Sequence, residues 1–219
     1  TETYHSSKTI ALTDLHAASL SERLSFQNDT ISVDTSELSD DDTIGTLSYQ
    51  WFTEDGQEIA GATNASLTLT QALVDKDVYV EVSYIDGDQT SETVQSTSPI
   101  RVLNVNDVPI GSPTAALSDG IEDTVYKLNA ADLLIGFSDI DDDILSVENL
   151  TSNVGVIIDN NDGTFDLDTN FPGTPFANFN GIITLTYDVT DGEGGVIENV
   201  TQSVVIAAVN DTPTGSADA

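Results

Sequence analysis

Val105-Asn106-Asp107-Val108-Pro109-Ile110-Gly111-Ser112 decides the reading of this chain, because it returns as Val209-Asn210-Asp211-Thr212-Pro213-Thr214-Gly215-Ser216. Six of the eight residues agree, at an offset of 104. Upstream of each copy lies a second matched stretch, residues 82–88 and 187–193, sharing the dipeptides Asp86-Gly87 and Asp191-Gly192. Each is followed by a β-type run, over residues 92–105 and 196–209. A period near 100 residues with the same ending twice belongs to tandem domains, not to short solenoid repeats. A chain of 219 residues has room for two such domains. The expected division is 1–105, 106–210 and a remnant, 211–219, that begins a further linker or module.

Within each module the patterning is that of strands. Residues 47–52, 66–70 and 78–85 alternate apolar and polar in the first module. In the second, strands are expected over 125–128, 145–150, 154–158, 164–167, 182–189 and 203–209. Asp162-Gly163, between Ile158 and Phe165, signals a hairpin. Short strands separated by Gly, Asn and Asp turns predict an all-β fold of two tandem β-sandwich modules in an elongated arrangement. Helix is scarce: residues 12–23, with Thr13 or Asp14 as cap, could form one, and residues 130–135 a single turn. Trp51, in Tyr49-Gln50-Trp51-Phe52, has the context of a core residue.

Composition narrows the function classes. The 38 Asp and Glu against 5 Lys and Arg give a net charge of −33. Self-repulsion of that size works against a compact state unless counter-ions relieve it, and it disfavours nucleic-acid phosphates and anionic membrane surfaces. Abundant β-branched residues, seven Phe and six Tyr argue against simple disorder. With no Cys, neither disulfides nor thiolate sites are available. The two His, His5 and His16, are too few for a zinc site and make a poor basis for a Ser-His-Asp triad. A carboxylate pair for glycoside hydrolysis needs a cleft, and the acids here fall at module ends. No apolar run approaches the ~20 residues of a membrane span, no signal peptide opens the chain, and the chain reads as an excerpt of something longer. The expected role is therefore not enzymatic.

The second module, residues 107–210, resembles the cadherin-like tandem repeats of giant secreted bacterial adhesins, including those of RTX type. The resemblance rests on Ile121-Glu122-Asp123-Thr124, Ala130-Ala131-Asp132-Leu133-Leu134, Ser138-Asp139-Ile140-Asp141-Asp142-Asp143, Asp162-Gly163-Thr164-Phe165, Asn178-Phe179-Asn180-Gly181, Asp191-Gly192-Glu193-Gly194-Gly195 and Val209-Asn210-Asp211. The first module, over residues 31–107, is similar to the companion bacterial immunoglobulin-like repeats through Asp34-Thr35-Ser36, Ser39-Asp40-Asp41-Asp42, residues 45–51, Ile59-Ala60-Gly61-Ala62-Thr63, Leu67-Thr68-Leu69-Thr70 and residues 80–87. Extended upstream, the position where that family often carries Glu-Asp falls at Gln27-Asn28, leaving the head of the first module without the acidic pair.

What the resemblance implies is calcium between successive domains. Ca²⁺ takes six to eight oxygen ligands from carboxylates, amides and carbonyls. The junction of the two modules would draw on Asn106 and Asp107 of the linker and on Asp40, Asp42 and Asp86 of the first module. Glu122, Asp139, Asp141 and Asp191 would share one pole of the second module, and Asn210 and Asp211 would begin the next junction. The spacing Asp139-x-Asp141-x-Asp143 adds a third carboxylate, aimed to one side if the backbone is extended, or wrapping an ion if it is looped. The implied function is a calcium-stabilised extender on the bacterial cell surface, holding distal ligand-binding domains away from the cell. Its partners would be neighbouring repeats, and it would be a monomer. The alternative is a module that itself adheres to a host peptide or carbohydrate, suggested by the unusual start, residues 1–26, and by Phe171, Pro172, Pro175, Phe176 and Phe179 in the loop 168–180.

Overall fold

In a computed structural model of the protein, residues 7–11, 24–36, 38–40, 43–96, 98–170 and 178–212 are described. The chain divides into two compact units, Thr1–Val105 and Asn106–Ala219. Both are built from strands, with one short helix and one 3-10 turn among the described residues.

The strands of the first unit are β1 (Ser7–Ala11), β2 (Leu24–Phe26), β3 (Thr30–Asp34), β4 (Ser48–Thr53), β5 (Ser66–Thr68), β6 (Asp77–Ile85), β7 (Ser91–Gln95) and β8 (Ile100–Leu103). One sheet runs β2-β8-β6-β4, with β7 also on β6; the other is β1-β3-β5. Strand β6 organises the unit because its alternation is strict: Val78, Val80, Val82 and Tyr84 are buried while the residues between them are not. Its start pairs with β8 (Asp77↔Arg101) and its end with β7 (Ile85↔Ser91), so one long edge is shared by two consecutive strands. At the break, Ser96 Oγ accepts the Val80 N–H at 3.1 Å. Trp51 is fully buried, and its Nε1–H donates to the Asn64 carbonyl at 2.9 Å, the partner a buried indole needs.

The second unit contains β9 (Ile110–Gly111), β10 (Gly120–Ile121), β11 (Tyr126–Asn129), the helix α1 (Ala130–Leu133), β12 (Phe137–Ser138), β13 (Ser146–Ser152), β14 (Val156–Asp159), β15 (Thr164–Asp168), β16 (Gly181–Thr190) and β17 (Val196–Ala207). The sheets β10-β17-β16-β13 and β11-β15-β14 enclose one core, and β9 and β12 form a small separate ladder. Strands β16 and β17 pair antiparallel from Gly181↔Ile206 to Thr190↔Val196. Ile183, Leu185, Tyr187 and Val189 face inward from β16, and Val200, Val204 and Ile206 from β17. The expected hairpin at Asp162-Gly163 joins β14 to β15, with Asn161 and Gly163 both at positive φ (56° and 84°). The expected single turn of helix is α1, capped by the Asn129 side chain, whose Oδ1 accepts the Ala131 N–H at 3.0 Å.

All-β sandwich architecture is therefore what the protein has. Six described strands that the alternation did not single out, β1, β2, β3, β9, β10 and β12, have five residues or fewer. The helix considered for residues 12–23 lies outside the described residues, as do Phe171, Pro172, Pro175 and Phe176. Phe179 packs against the core of the second unit.

The hydroxyl of Tyr187, a fully buried residue, donates to the Leu133 carbonyl at 2.8 Å, with Gln202 Oε1 a second acceptor at 3.1 Å. Burial pushes its pKa up to about 12. Tyr187→Phe strips both acceptors of their donor and should cost about 1–2 kcal/mol, read as a lower melting temperature. The sign at high pH follows from linkage: a phenol with a raised folded pKa holds its proton longer folded than unfolded. Stability should fall as pH climbs from about 10 toward 12, and Tyr187→Phe should flatten that fall.

Candidate metal centre

The acids of the second unit sort themselves by strand direction. Strand β17 is 12 residues long, so its two ends lie about 35 Å apart. Asp191 sits in the turn that feeds its start. Glu122 sits at its finish, where β10 pairs with it at Gly120↔Ile206 and Ile121↔Ala207 and the Glu122 N–H donates to the Ala207 carbonyl.

At the starting pole, the loop after β12 gathers Asp139, Asp141 and Asp143, with one carboxylate oxygen from each lying within 4.8 Å of the others. The loop is turned, not extended: Asp139 Oδ1 accepts the Asp141 N–H at 2.7 Å, and Asp142 adopts φ +60°. This is the wrapping geometry, the second of the two open for that spacing. Asp107 reaches the same loop, its N–H donating to Asp141 Oδ2 at 2.7 Å. Its neighbour Asn106 donates from Nδ2 to Asp191 Oδ2 at 3.0 Å. Two consecutive linker residues thus tie the Asp139–Asp143 loop and the Asp191 turn together. Asp191 is almost completely buried and accepts further N–H groups from Glu193 (2.7 Å) and Gly195 (2.9 and 3.1 Å). These donors, the Asn106 amide first, hold its pKa below the ordinary value. Asp143 is shifted the other way, first by desolvation and then by the charges of Asp139, Asp141, Asp191 and Glu193.

Residues 105–207 match the family model of the cadherin-like domain.

The match covers most of the second unit, and no curated protein matches the chain. Solved structures with some likeness include an endo-fucoidan hydrolase of glycoside hydrolase family 107 (16% identity, TM-score 0.30). Others are the fibronectin(III)-like modules of CbhA from Clostridium thermocellum (14%, 0.26) and a Bacteroides ovatus mixed-linkage glucan utilisation protein, SGBP-B, in complex with a mixed-linkage heptasaccharide (12%, 0.23). The matches cover 74%, 89% and 83% of this chain and 24%, 95% and 42% of those chains. The chain thus spans about a quarter of the hydrolase (24%). At these scores the likenesses carry no argument about function.

The starting pole of the second unit fits a hard divalent cation. Asp139 Oδ2 is buried and finds no hydrogen-bond partner among the described residues. The described ion pairs are Arg101–Asp75, Arg101–Asp77 and Lys127–Asp166, so no described pair neutralises this pole. A buried carboxylate oxygen without donor or counter-charge is costly unless something positive reaches it. The donors are all oxygen, as calcium or magnesium prefer and as softer metals do not.

Two of the expected groupings need correction. Glu122 does not share a pole with Asp139, Asp141 and Asp191. It is 3% exposed, and its carboxylate accepts the Val209 N–H (2.5 Å) and the Asn180 amide (3.0 Å), next to Asn210 and Asp211. The reason is that β10 joins the sheet beside the far end of β17. Asp40 and Asp86 do not lie where the chain leaves the first unit. The exit strand β8 pairs with the beginning of β6, and Val102 N–H donates to the Lys76 carbonyl. Asp86 follows the end of β6, where it accepts the Thr90 N–H at 2.8 Å. Asp40 is held at that same end by the Tyr84 hydroxyl (2.8 Å), a bond that pushes the Tyr84 pKa up to about 12. Asp42 lies outside the described residues.

Gln27, near the head of the first module in sequence, lies in space beside that unit's exit. Its N–H donates to the Leu103 carbonyl and its Oε1 accepts the Val105 N–H at 3.4 Å. Glu122 does the same with Ala207 and Val209. Gln27 is thus the neutral counterpart of Glu122 at the exit of its own unit.

That equivalence separates support from charge. Since Gln27 makes this bracket without charge, Glu122→Gln should leave the metal-free domain folded, with a melting temperature change equivalent to about 1 kcal/mol or less. If Glu122 also ligates a cation, the same variant should lose part of whatever stabilisation calcium confers. Paired thermal melts with calcium and with chelator measure both.

Proposed function

We propose that the chain is an extracellular adhesive or linker segment whose cadherin-like domain is stabilised by calcium. The observation that carries this reading is the buried, unpartnered Asp139 Oδ2, set among Asp141 and Asp143 at a pole where no described ion pair supplies a cation. Asn106 and Asp107, already hydrogen-bonded to the two acidic elements of that pole, would be drawn toward the same ion. Binding would replace carboxylate repulsion by shared coordination, so the linker's attachment to its domain would tighten with metal.

The finer form of the proposal is an extender of a large secreted bacterial surface adhesin, holding distal ligand-binding domains away from the cell. Its supports are the repeated Val-Asn-Asp boundary at residues 105–107 and 209–211 and the acidity of the chain. The role is non-catalytic on this reading: the carboxylates of the pole accept backbone N–H groups and one another's repulsion, with no acid–base pair assigned to a substrate. Neighbouring repeats of the same chain are the partners it requires.

Calcium that binds only the folded state raises stability by RT ln(1 + [L]/Kd) per site, about 2.7 kcal/mol at a hundredfold excess over Kd. The melting temperature should therefore rise in calcium relative to chelator. Asp139→Asn and Asp141→Asn should each abolish most of that rise while sparing the chelator melt. Melts that coincide with and without calcium would sink the proposal.

A further inference from the structure

The metal pole has a residue that neither its charge nor its side chain announces. Gly195 is buried at the start of the approach to β17, and its N–H donates to both oxygens of Asp191, at 2.9 and 3.1 Å. A Cβ placed there would stand 2.1 Å from Asp191 Oδ2, 2.9 Å from Pro109 Cδ and 2.9 Å from Val108 Cα. Two separate segments of the unit therefore meet at the hydrogen of one glycine: the acidic turn and the linker at Val108-Pro109. Its turn-mates differ. Gly192 and Gly194 lie at φ +82° and +112° with open space around them, so their conformation alone calls for glycine. Gly195 is not among the positive-φ residues, so at this position the demand is for space.

We infer that Gly195 is a positioning residue for the cation pole, holding Asp191 where Asn106 and the linker can reach it. This rests on the metal reading above. The linker contact Asn106 Nδ2–Asp191 Oδ2 (3.0 Å) involves the oxygen that a Cβ would displace. The carboxylate is the movable party, since Val108 Cα and the Pro109 ring belong to the chain's own path. A methyl group at residue 195 turns Asp191 away, breaks the Asn106 bond and crowds Val108 and Pro109. The core strands are untouched, because none of their side chains is among the three nearest atoms to that methyl.

The test uses the full chain with calcium chloride as the probe, and reads the binding midpoint by calorimetry beside the chelator melt. Gly195→Ala should keep its far-UV circular dichroism and weaken the calcium midpoint about tenfold or more, the scale typical of losing a residue that orients a ligand. Gly192→Ala, which strains the same turn without crowding Val108 or Pro109, should leave the midpoint within about twofold. In an Asp191→Asn background, Gly195→Ala should add little further loss, because residues acting through one group are not additive. Equal midpoints for the wild-type chain and Gly195→Ala overturn this inference alone, as does Gly192→Ala weakening calcium as much. A wild-type chain indifferent to calcium overturns the metal reading and this inference with it. Should Gly195→Ala fail to fold, the Gly195 amide of the wild-type chain decides by NMR. Protection from hydrogen exchange without metal, and a shift that tracks the calcium midpoint, support the role; free exchange overturns it.

Discussion

An acidic chain with few cations has to hold its carboxylates by other means, and the structure does so with backbone N–H groups. Asp29 accepts from Phe26 N–H, Asp86 from Thr90, Asp139 from Asp141, Asp141 from Asp107, Asp191 from Glu193 and Gly195, and Glu122 from Val209. An N–H donor carries no net charge, so it satisfies the lone pairs without cancelling the field. Charge accumulates wherever several such loops converge. Asp191, rich in donors, keeps its proton affinity low, while Asp143, beside four other acids, has its raised. The two shifts act oppositely on metal-free stability. The contribution of Asp191 is lost as pH falls through its depressed value. The strain at Asp143 is relieved as pH falls through its raised one. A cation that relieved Asp143 without stripping Asp191 of its donors would answer both.

The place where charge converges is a consequence of antiparallel pairing. In each unit a long strand hairpin carries an Asp-Gly turn at one end and delivers the departing chain at the other. Asp86 and Asp191 are the two copies of that turn, and Leu103 and Ala207 lie at the two exits. A short strand then joins beside each exit, β2 on β8 and β10 on β17, both parallel, bringing Gln27 and Glu122 to matching positions. The motifs of one unit are therefore distributed over both of its poles, however close they sit in sequence.

This explains which parts could be read from the chain. The β class, the hairpin at Asp162-Gly163, the buried Trp51 and the turn of helix at Ala130 all follow from local pattern: period-two alternation, a turn dipeptide, an aromatic in a strand, an Asn cap. Asp139, Asp141 and Asp143 were legible as a group because they are neighbours in sequence. Poles were not legible, since a pole is a property of pairing, and pairing joins Glu122 to Ala207, far along the chain. The repeat carries a signal for poles. The alignment of residues 82–88 with 187–193 makes Asp86 the copy of Asp191, so whatever end of its unit Asp191 occupies, Asp86 should occupy in the other. Gly195 was invisible for a different reason: in a run of Asp-Gly-Glu-Gly-Gly, which glycine serves conformation and which serves space depends on atoms from residues 108–109.

The pairing of Gln27 with Glu122 carries the reasoning one step further. Two chemically different side chains hold the same bracket: N–H to the carbonyl of the exit strand, Oε1 to the N–H two residues on. An amide is enough for that task, and it spares the protein the desolvation of a buried charge, which is several kcal/mol for an isolated ion. A glutamate kept there at 3% exposure, with Asn180 on its other oxygen, bears a cost that the architecture itself does not require. The hydrogen-bond framework alone therefore does not call for the charge. In a chain whose described ion pairs leave Glu122 without a positive partner, a solvent cation is the simplest candidate with the right sign.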